Sequence, residues 1–435
     1  MSDAARAAAS PGGRAFLLGA GGLVVVRMCL PAHSPSLVDA HVCLAALALA
    51  LVARAPVHAL AAAGFVVGGA LLSVPTSWDP WISLIALPAA LGPAAFFLVA
   101  STGSCRPALL AGVGVGGALN AVAALVQKTI TWPDQLQRAD ELGLDRAAVE
   151  LLRAARPLGL SLSPDLCGGL CLAGAFAAFA LAVELEGDAR RSQRIALVAV
   201  AAVSASGVFV VRSFGTALAL VVGFSVCALI VLARKSAKQA AVLAAGGVVV
   251  AVAAAALAIA LRGSDAVFVS AHERIANWTA AWRAFVDHPV LGVGFMRFPA
   301  AYLAYRSPDA NLTRYAHSTP LEWLCEGGAV GALLVGAAFV VGVRALWKKR
   351  DELGLGDVVL VGGAAAIAVR LTIDYDGHVA QTASVAGVVW GLVLAQRERS
   401  PAGATQQRIV GMFAILARLL TGVLFWRQGA LEGED

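Results

Sequence analysis

Long apolar runs alternate with short polar connections from near the start of the chain to about residue 396. The runs are roughly 17 to 25 residues long, the length a helix needs to cross the hydrocarbon layer. They predict spans near 15–31, 38–53, 57–74, 81–100, 107–127, 164–184, 195–211, 215–233, 240–261, 318–343, 357–373 and 380–396. The expected fold is therefore all-α, a polytopic transmembrane helical bundle of about twelve spans. Two connections, 128–163 and 262–317, are too long and too polar to be simple turns. In the second, Ile275, Trp278, Trp282 and Phe285 recur at helical steps, with Glu273, Arg274, Asn277 and Arg283 elsewhere around the turn. That spacing predicts an amphipathic helix over 271–287, lying along the membrane surface. Pro289, Gly292 and Gly294 end it in a tight turn. The helix re-entering the membrane starts after His317, with Ser318 or Thr319 as its expected cap.

Composition removes the main alternative. With 59% hydrophobic and 14% charged residues in 435, no single water-soluble core could hide so much apolar surface. The seven cysteines are scattered through apolar spans without metal-ligand spacing or an outer-loop pairing pattern. Residues 1–400 read as one transmembrane domain. Residues 401–435 read as a cytoplasmic tail whose apolar stretch, interrupted by Arg418, is either an interfacial helix, the reading its arginines favour, or a thirteenth span.

Charge sets the orientation. Arg54, Arg106, Arg190, Arg191, Arg194, Arg234, Arg344, Lys348, Lys349, Arg350, Arg397 and Arg399 fall in alternate connections, as do Arg6 and Arg14 before the first span. The opposite short connections hold neither Lys nor Arg. Basic loops stay in the cytoplasm, so both termini are expected there and the two long segments outside. Those outer segments nevertheless carry Lys128, Arg138, Arg146, Arg153 and Arg156, then Arg262, Arg274, Arg283, Arg297, Arg306 and Arg314. Cations kept outside against the rule suggest an anionic ligand.

Four passages resemble the O-antigen ligase family, which also includes polysaccharide polymerases. The strongest pairs RIANWTAAWRAFVDHPVLGVGF with the later AHSTPLEWLCEGGAVG; weaker ones are RPLGLSLSPDLCGG, VVRSFGTALAL and TIDYDGHVAQTASVAGVVWGL. Together they cover roughly residues 120–395. The resemblance implies a metal-independent membrane glycosyltransferase, without cofactor, in the bacterial inner membrane and with a periplasmic active site. Its implied donor is a glycan on undecaprenyl pyrophosphate. A ligase would pass the glycan to lipid A core, and a polymerase would pass it to another lipid-linked repeat unit. Membrane lipids are the remaining partner, and nucleic acid is not one.

His317 matches the family's functional His and suits a general base by residue type. Arg274 matches its outer-loop Arg, and a planar fork of donors suits pyrophosphate. Arg212 stands two positions away from the Arg of the family's Ser-Arg-Gly step, and Arg156 precedes the Gly159–Pro164 step; both are expected at the pyrophosphate. Glu326 reads as architectural and His288 as part of a turn. Asp374 and Asp376 have a metal-binding spacing but read as an outer turn able to orient His317 or an acceptor. Outside this family, a transporter would concentrate its polar groups at broken helices near midplane, whereas here they concentrate in an outer loop. A non-catalytic assembly subunit would share the topology and tolerate loss of His317.

Overall fold

The computed structural model describes residues 11–29, 37–53, 55–153, 156–185, 187, 190–234, 236, 264–308 and 310–395. Among them all regular secondary structure is helical: α1 (Pro11–Cys29), α2 (Leu37–Ala53), α3 (Val57–Leu72), α4 (Pro80–Ala86), α5 (Pro88–Ser101), α6 (Arg106–Val126), α7 (Trp132–Gln137) and α8 (Arg146–Arg153). There follow α9 (Pro164–Glu184), α10 (Arg191–Val210), α11 (Phe214–Ala233), α12 (Ser264–Asp287), α13 (Phe298–Tyr305), α14 (Thr319–Lys348), α15 (Leu355–Ile373) and α16 (Ala380–Leu394). The expected span at 240–261 and the tail at 401–435 lie outside the described residues.

Among the described residues, seven helical stretches are long and apolar enough to cross a membrane, and α3 and α16 are shorter apolar helices. Sequence chemistry sets several starts. Asp79 accepts from the Ile82 amide at 3.0 Å ahead of Pro80, and Ser163 accepts from the Leu166 amide at 3.2 Å ahead of Pro164. In both places a capping side chain meets a proline at the first helical position, where a missing N–H costs nothing. The amphipathic helix begins earlier than expected, at Ser264 rather than 271. No Gly or Pro interrupts the chain between Asp265 and His288, so nothing stops it sooner.

The chain divides into two compact units. The first comprises Met1–Pro31, Pro107–Gly247 and Gly354–Ile367. Here α9 packs on α10 and α11. It approaches α6 so closely that a side chain on Gly117 would stand 2.7 Å from the Gly174 Cα, the small-residue packing that lipid favours. The second comprises Ala32–Arg106, Val248–Leu353 and Ala368–Asp435. In it α5 packs on α2, α3 and α16, and α14 packs on α3 and on the amphipathic helix α12.

Within the second unit the HPVLGVGF turn is laced to the EGG sequence of α14. The Val293 amide donates to the Cys325 carbonyl at 2.9 Å and the Gly294 amide to that of Glu326 at 3.0 Å. In return the Ala329 and Val330 amides donate to Pro289 and Val290 at 2.8 and 3.1 Å. This exchange is possible because α14 breaks at Gly328, where φ is 61° and ψ is −162°, freeing carbonyls and amides that a straight helix would consume. Only glycine adopts that conformation readily. The two best-marked passages of the sequence are thus one hydrogen-bonded structure.

Candidate active site

The break in α14 and the turn before α16 hold most of the buried charge of the second unit. Arg370, near the end of α15, is 1% exposed. It forks onto Asp376, with Nε and Nη2 donating at 2.9 Å each, and its Nη2 also lies 3.0 Å from Asp374 Oδ2. A guanidinium suits this duty because its planar donors serve two carboxylates at once. Both oxygens of Asp376 and Oδ2 of Asp374 are therefore engaged by an arginine, and the pair works as a charged turn.

Asp374 in turn holds His317. Its Oδ1 lies 3.1 Å from His317 Nδ1 and accepts from the Tyr375 amide at 3.0 Å. Burial pushes this carboxyl up, but the hydrogen bond from His317 and the charges of Arg370, His317 and Arg274 outweigh it and hold the group down at about 2. Asp374 is then an ionised, acceptor-only partner. The proton of a neutral His317 must sit on Nδ1, which leaves Nε2 as the basic nitrogen. The imidazole also stands edge-on to Tyr375, centroids 4.9 Å apart, and Tyr375 stacks on Tyr315 at 4.3 Å. The ring is fixed from two sides, while the side chain keeps 29% of its surface.

Backbone geometry marks the same residue. His317 has φ of 56°, in the left-handed region. Such a conformation is costly for a residue with a side chain, and persists where the surroundings impose it. Here the Thr319 amide and hydroxyl both reach the Asp374 carbonyl at 3.2 Å. This corrects the expected cap: Ser318 stands at the N-cap of α14 but its side chain makes no capping bond. The carbonyl of Asp374 takes the first amide of the helix instead.

Arg274, on α12, donates from Nη1 to the Ile373 carbonyl at 3.0 Å. It thus reaches the turn that carries Asp374, and the structure brings Arg274 and His317 to neighbouring residues of one turn. Arg156 and Arg212 belong to the other unit. Arg156 pairs with Asp165 at 3.1 Å, and Asp165 also accepts from the Ser213 hydroxyl at 2.6 Å. Arg212 has φ of 53°, the same left-handed conformation as His317. Glu326 is buried and accepts from the Phe298 amide at 3.0 Å, the architectural role expected of it. His288 packs edge-on against Trp78.

Residues 197–336 match the family model for O-antigen ligase. The chain carries an O-antigen ligase family segment. With its apolar helices, this makes it a multi-pass membrane protein of polysaccharide biosynthesis, with a glycosyltransferase-like role. The O-antigen ligase match includes Arg212, Arg274 and His317, and stops short of Asp374 and Arg370. No curated protein matches the chain.

Arg370 is the neighbour of this site that sequence reasoning missed. In the sequence it is a cation in an apolar span, four and six residues before Asp374 and Asp376. The first of these spacings places two residues on one face of a helix. That signal was present in the sequence.

Proposed function

We propose that this protein transfers a glycan from undecaprenyl pyrophosphate to an acceptor hydroxyl on the periplasmic face of the bacterial inner membrane, as an O-antigen ligase acting on lipid A core. The observation that carries the reading is His317 Nδ1 at 3.1 Å from the buried Asp374 carboxylate. A base must present a lone pair and tolerate the charge it gains, and an ionised partner behind the ring serves both needs. In the step, Nε2 takes the proton of the acceptor hydroxyl as its oxygen bonds to the anomeric carbon. The bond from that carbon to the phosphate oxygen breaks, and undecaprenyl pyrophosphate leaves as an anion.

Arg274 is assigned to the leaving group. Its anchorage on the Ile373 carbonyl uses Nη1, and a guanidinium has five donors in all with which to receive phosphate oxygens. The family resemblance also assigns Arg212 and Arg156 to pyrophosphate; the pairing of Arg156 with Asp165 employs its Nη2. No metal is invoked, because fixed positive groups can carry the developing charge.

Reconstituted protein supplied with lipid-linked glycan and two acceptors, lipid A core and a second lipid-linked repeat unit, tests the proposal. Transfer to lipid A core is expected. Transfer only between lipid-linked units would change the acceptor and make the protein a polymerase, and transfer to neither would refute the reading. Orientation is checked at exposed Ser307: Ser307→Cys in a cysteine-free background should react with an impermeant thiol reagent from the periplasmic side.

A further inference from the structure

Glu322, Glu326 and His378 form a buried ionic cluster that proton transfer does not use. The two glutamates are one turn apart at the start of α14, and His378, from the turn before α16, lies between them. Their exposures are 0%, 2% and 6% for Glu322, Glu326 and His378. His378 Nε2 is 3.2 Å from Glu326 Oε2. Nδ1 is 2.7 Å from Glu322 Oε2, bent away from hydrogen-bond alignment, so that contact is one of charge. Burial alone would push the imidazole down, but the two carboxylates raise it to about 10. It is a cation at neutral pH.

The remaining carboxylate oxygens are directed elsewhere. Glu326 Oε1 accepts from the Phe298 amide at 3.0 Å, and Glu322 Oε1 accepts from the Ala316 amide at 2.6 Å. Ala316 is fully buried and directly precedes His317. The left-handed turn at His317 is therefore held on one side by Asp374 and on the other by Glu322 through the Ala316 amide.

A gain in stability over apolar residues does not account for such a cluster. Buried ions carry a desolvation penalty that well-packed apolar residues of similar volume avoid, often with no loss of stability. What an apolar residue at position 322 could not do is accept the Ala316 N–H. We propose that Glu322 is a positioning residue for His317: seated on the His378 imidazolium, its carboxylate fixes the Ala316 amide and so keeps the His317 ring on Asp374. The inference rests on the reading of His317 as the base.

The test uses full-length protein in nanodiscs, with turnover and donor KM measured alongside the rate at which diethylpyrocarbonate modifies His317, followed by peptide mass spectrometry. Glu322→Gln keeps an acceptor oxygen and should stay within about threefold of wild type in kcat, whereas Glu322→Leu should lose on the order of tenfold to a hundredfold with donor KM unchanged, the effect of a misplaced group. His317 labelling should rise severalfold in Glu322→Leu. It should stay at the wild-type rate in Glu326→Gln, which alters the same cluster but not the Ala316 bond. Replacing Ala316 with lactate by cell-free synthesis removes the N–H alone and should reproduce the kcat loss; it carries the test if Glu322→Leu fails to insert. Wild-type kcat and labelling in either variant would overturn the proposal. Should His317→Ala itself prove active, the base assignment falls, and the labelling still reports whether Glu322 holds the turn.

Discussion

Asp374→Asn separates the role of charge behind His317 from the role of shape. The carboxylate engages His317 Nδ1 at 3.1 Å and the Tyr375 amide at 3.0 Å through Oδ1, and Arg370 at 3.0 Å through Oδ2. An amide cannot meet all three. With its oxygen toward His317, its NH2 group faces the Arg370 donors. With the NH2 group toward His317, Nδ1 must accept, the proton moves to Nε2, and the base is blocked. The drop of the Asp374 pKa from 3.8 to about 2 is what remains of its neighbours' attraction after burial has pushed the carboxyl up. It corresponds to about 2 kcal/mol. A depressed carboxylate pKa supplies stability above its unfolded value and loses it as pH falls through the folded one, so the full amount is present at neutral pH.

The variant should therefore insert and fold, less stable by about 2 kcal/mol, because Arg370 retains its two bonds to Asp376 at 2.9 Å. Turnover should fall much further, by about a hundredfold to ten-thousandfold, since orientation, tautomer and charge stabilisation are lost together. Proteoliposomes supplied with lipid-linked glycan and acceptor report kcat, and donor titration reports KM. A kcat within about threefold of wild type would show that no transition-state interaction runs through this carboxylate.

Arg274→Lys should stay impaired in donor affinity and turnover, because a point ammonium cannot reproduce a planar fork; wild-type values for both would remove Arg274 from the site. Gly294→Ala should destabilise the protein by on the order of 3 kcal/mol or more in detergent melts, from left-handed strain and overlap together. Here φ is 106° and the added Cβ would stand 2.8 Å from the Ser77 Cα; an unchanged melt would contradict the laced turn. His378, raised from 6.5 to about 10, contributes stability fully present below about pH 6.5 and lost as pH rises through 10. Wild type should therefore lose thermal stability between pH 7 and 10 more steeply than His378→Gln, and equal slopes would mean that the imidazolium contributes nothing.

The helices were legible because lipid imposes one rule, an apolar run of fixed length, and the runs read at 164–184, 215–233 and 357–373 fall on helices Pro164–Glu184, Phe214–Ala233 and Leu355–Ile373. The turn at Gly292 and Gly294 was legible for a local reason: two glycines after a His-Pro step. Its pairing with Glu326 and Ala329 was not, since that depends on a helix broken at Gly328 and the break needs a partner to be worth making. His317 and Arg274 are singled out in the sequence by residue type and motif. The link from His317 through Asp374 to Arg370 was half readable, as an acidic turn able to orient a histidine. The Glu322, Glu326 and His378 cluster was hidden because 52 residues separate Glu326 from His378, and no local pattern reports such a pairing. The Ser318 cap failed for the same reason: a carbonyl 55 residues away in sequence satisfies the first amide and hydroxyl of α14.

The most direct measurement is single-turnover glycan transfer by purified His317→Ala, reconstituted with lipid-linked glycan and lipid A core. The side chain is partly exposed, so its loss should spare insertion and cost no more than part of the roughly 2 kcal/mol tied to Asp374, while removing the proton acceptor. Transfer should fall about a hundredfold or more, the usual scale for a missing general base. Transfer at near the wild-type rate would contradict the account, and would make the segment around His317 a surface that binds glycan without acting on it.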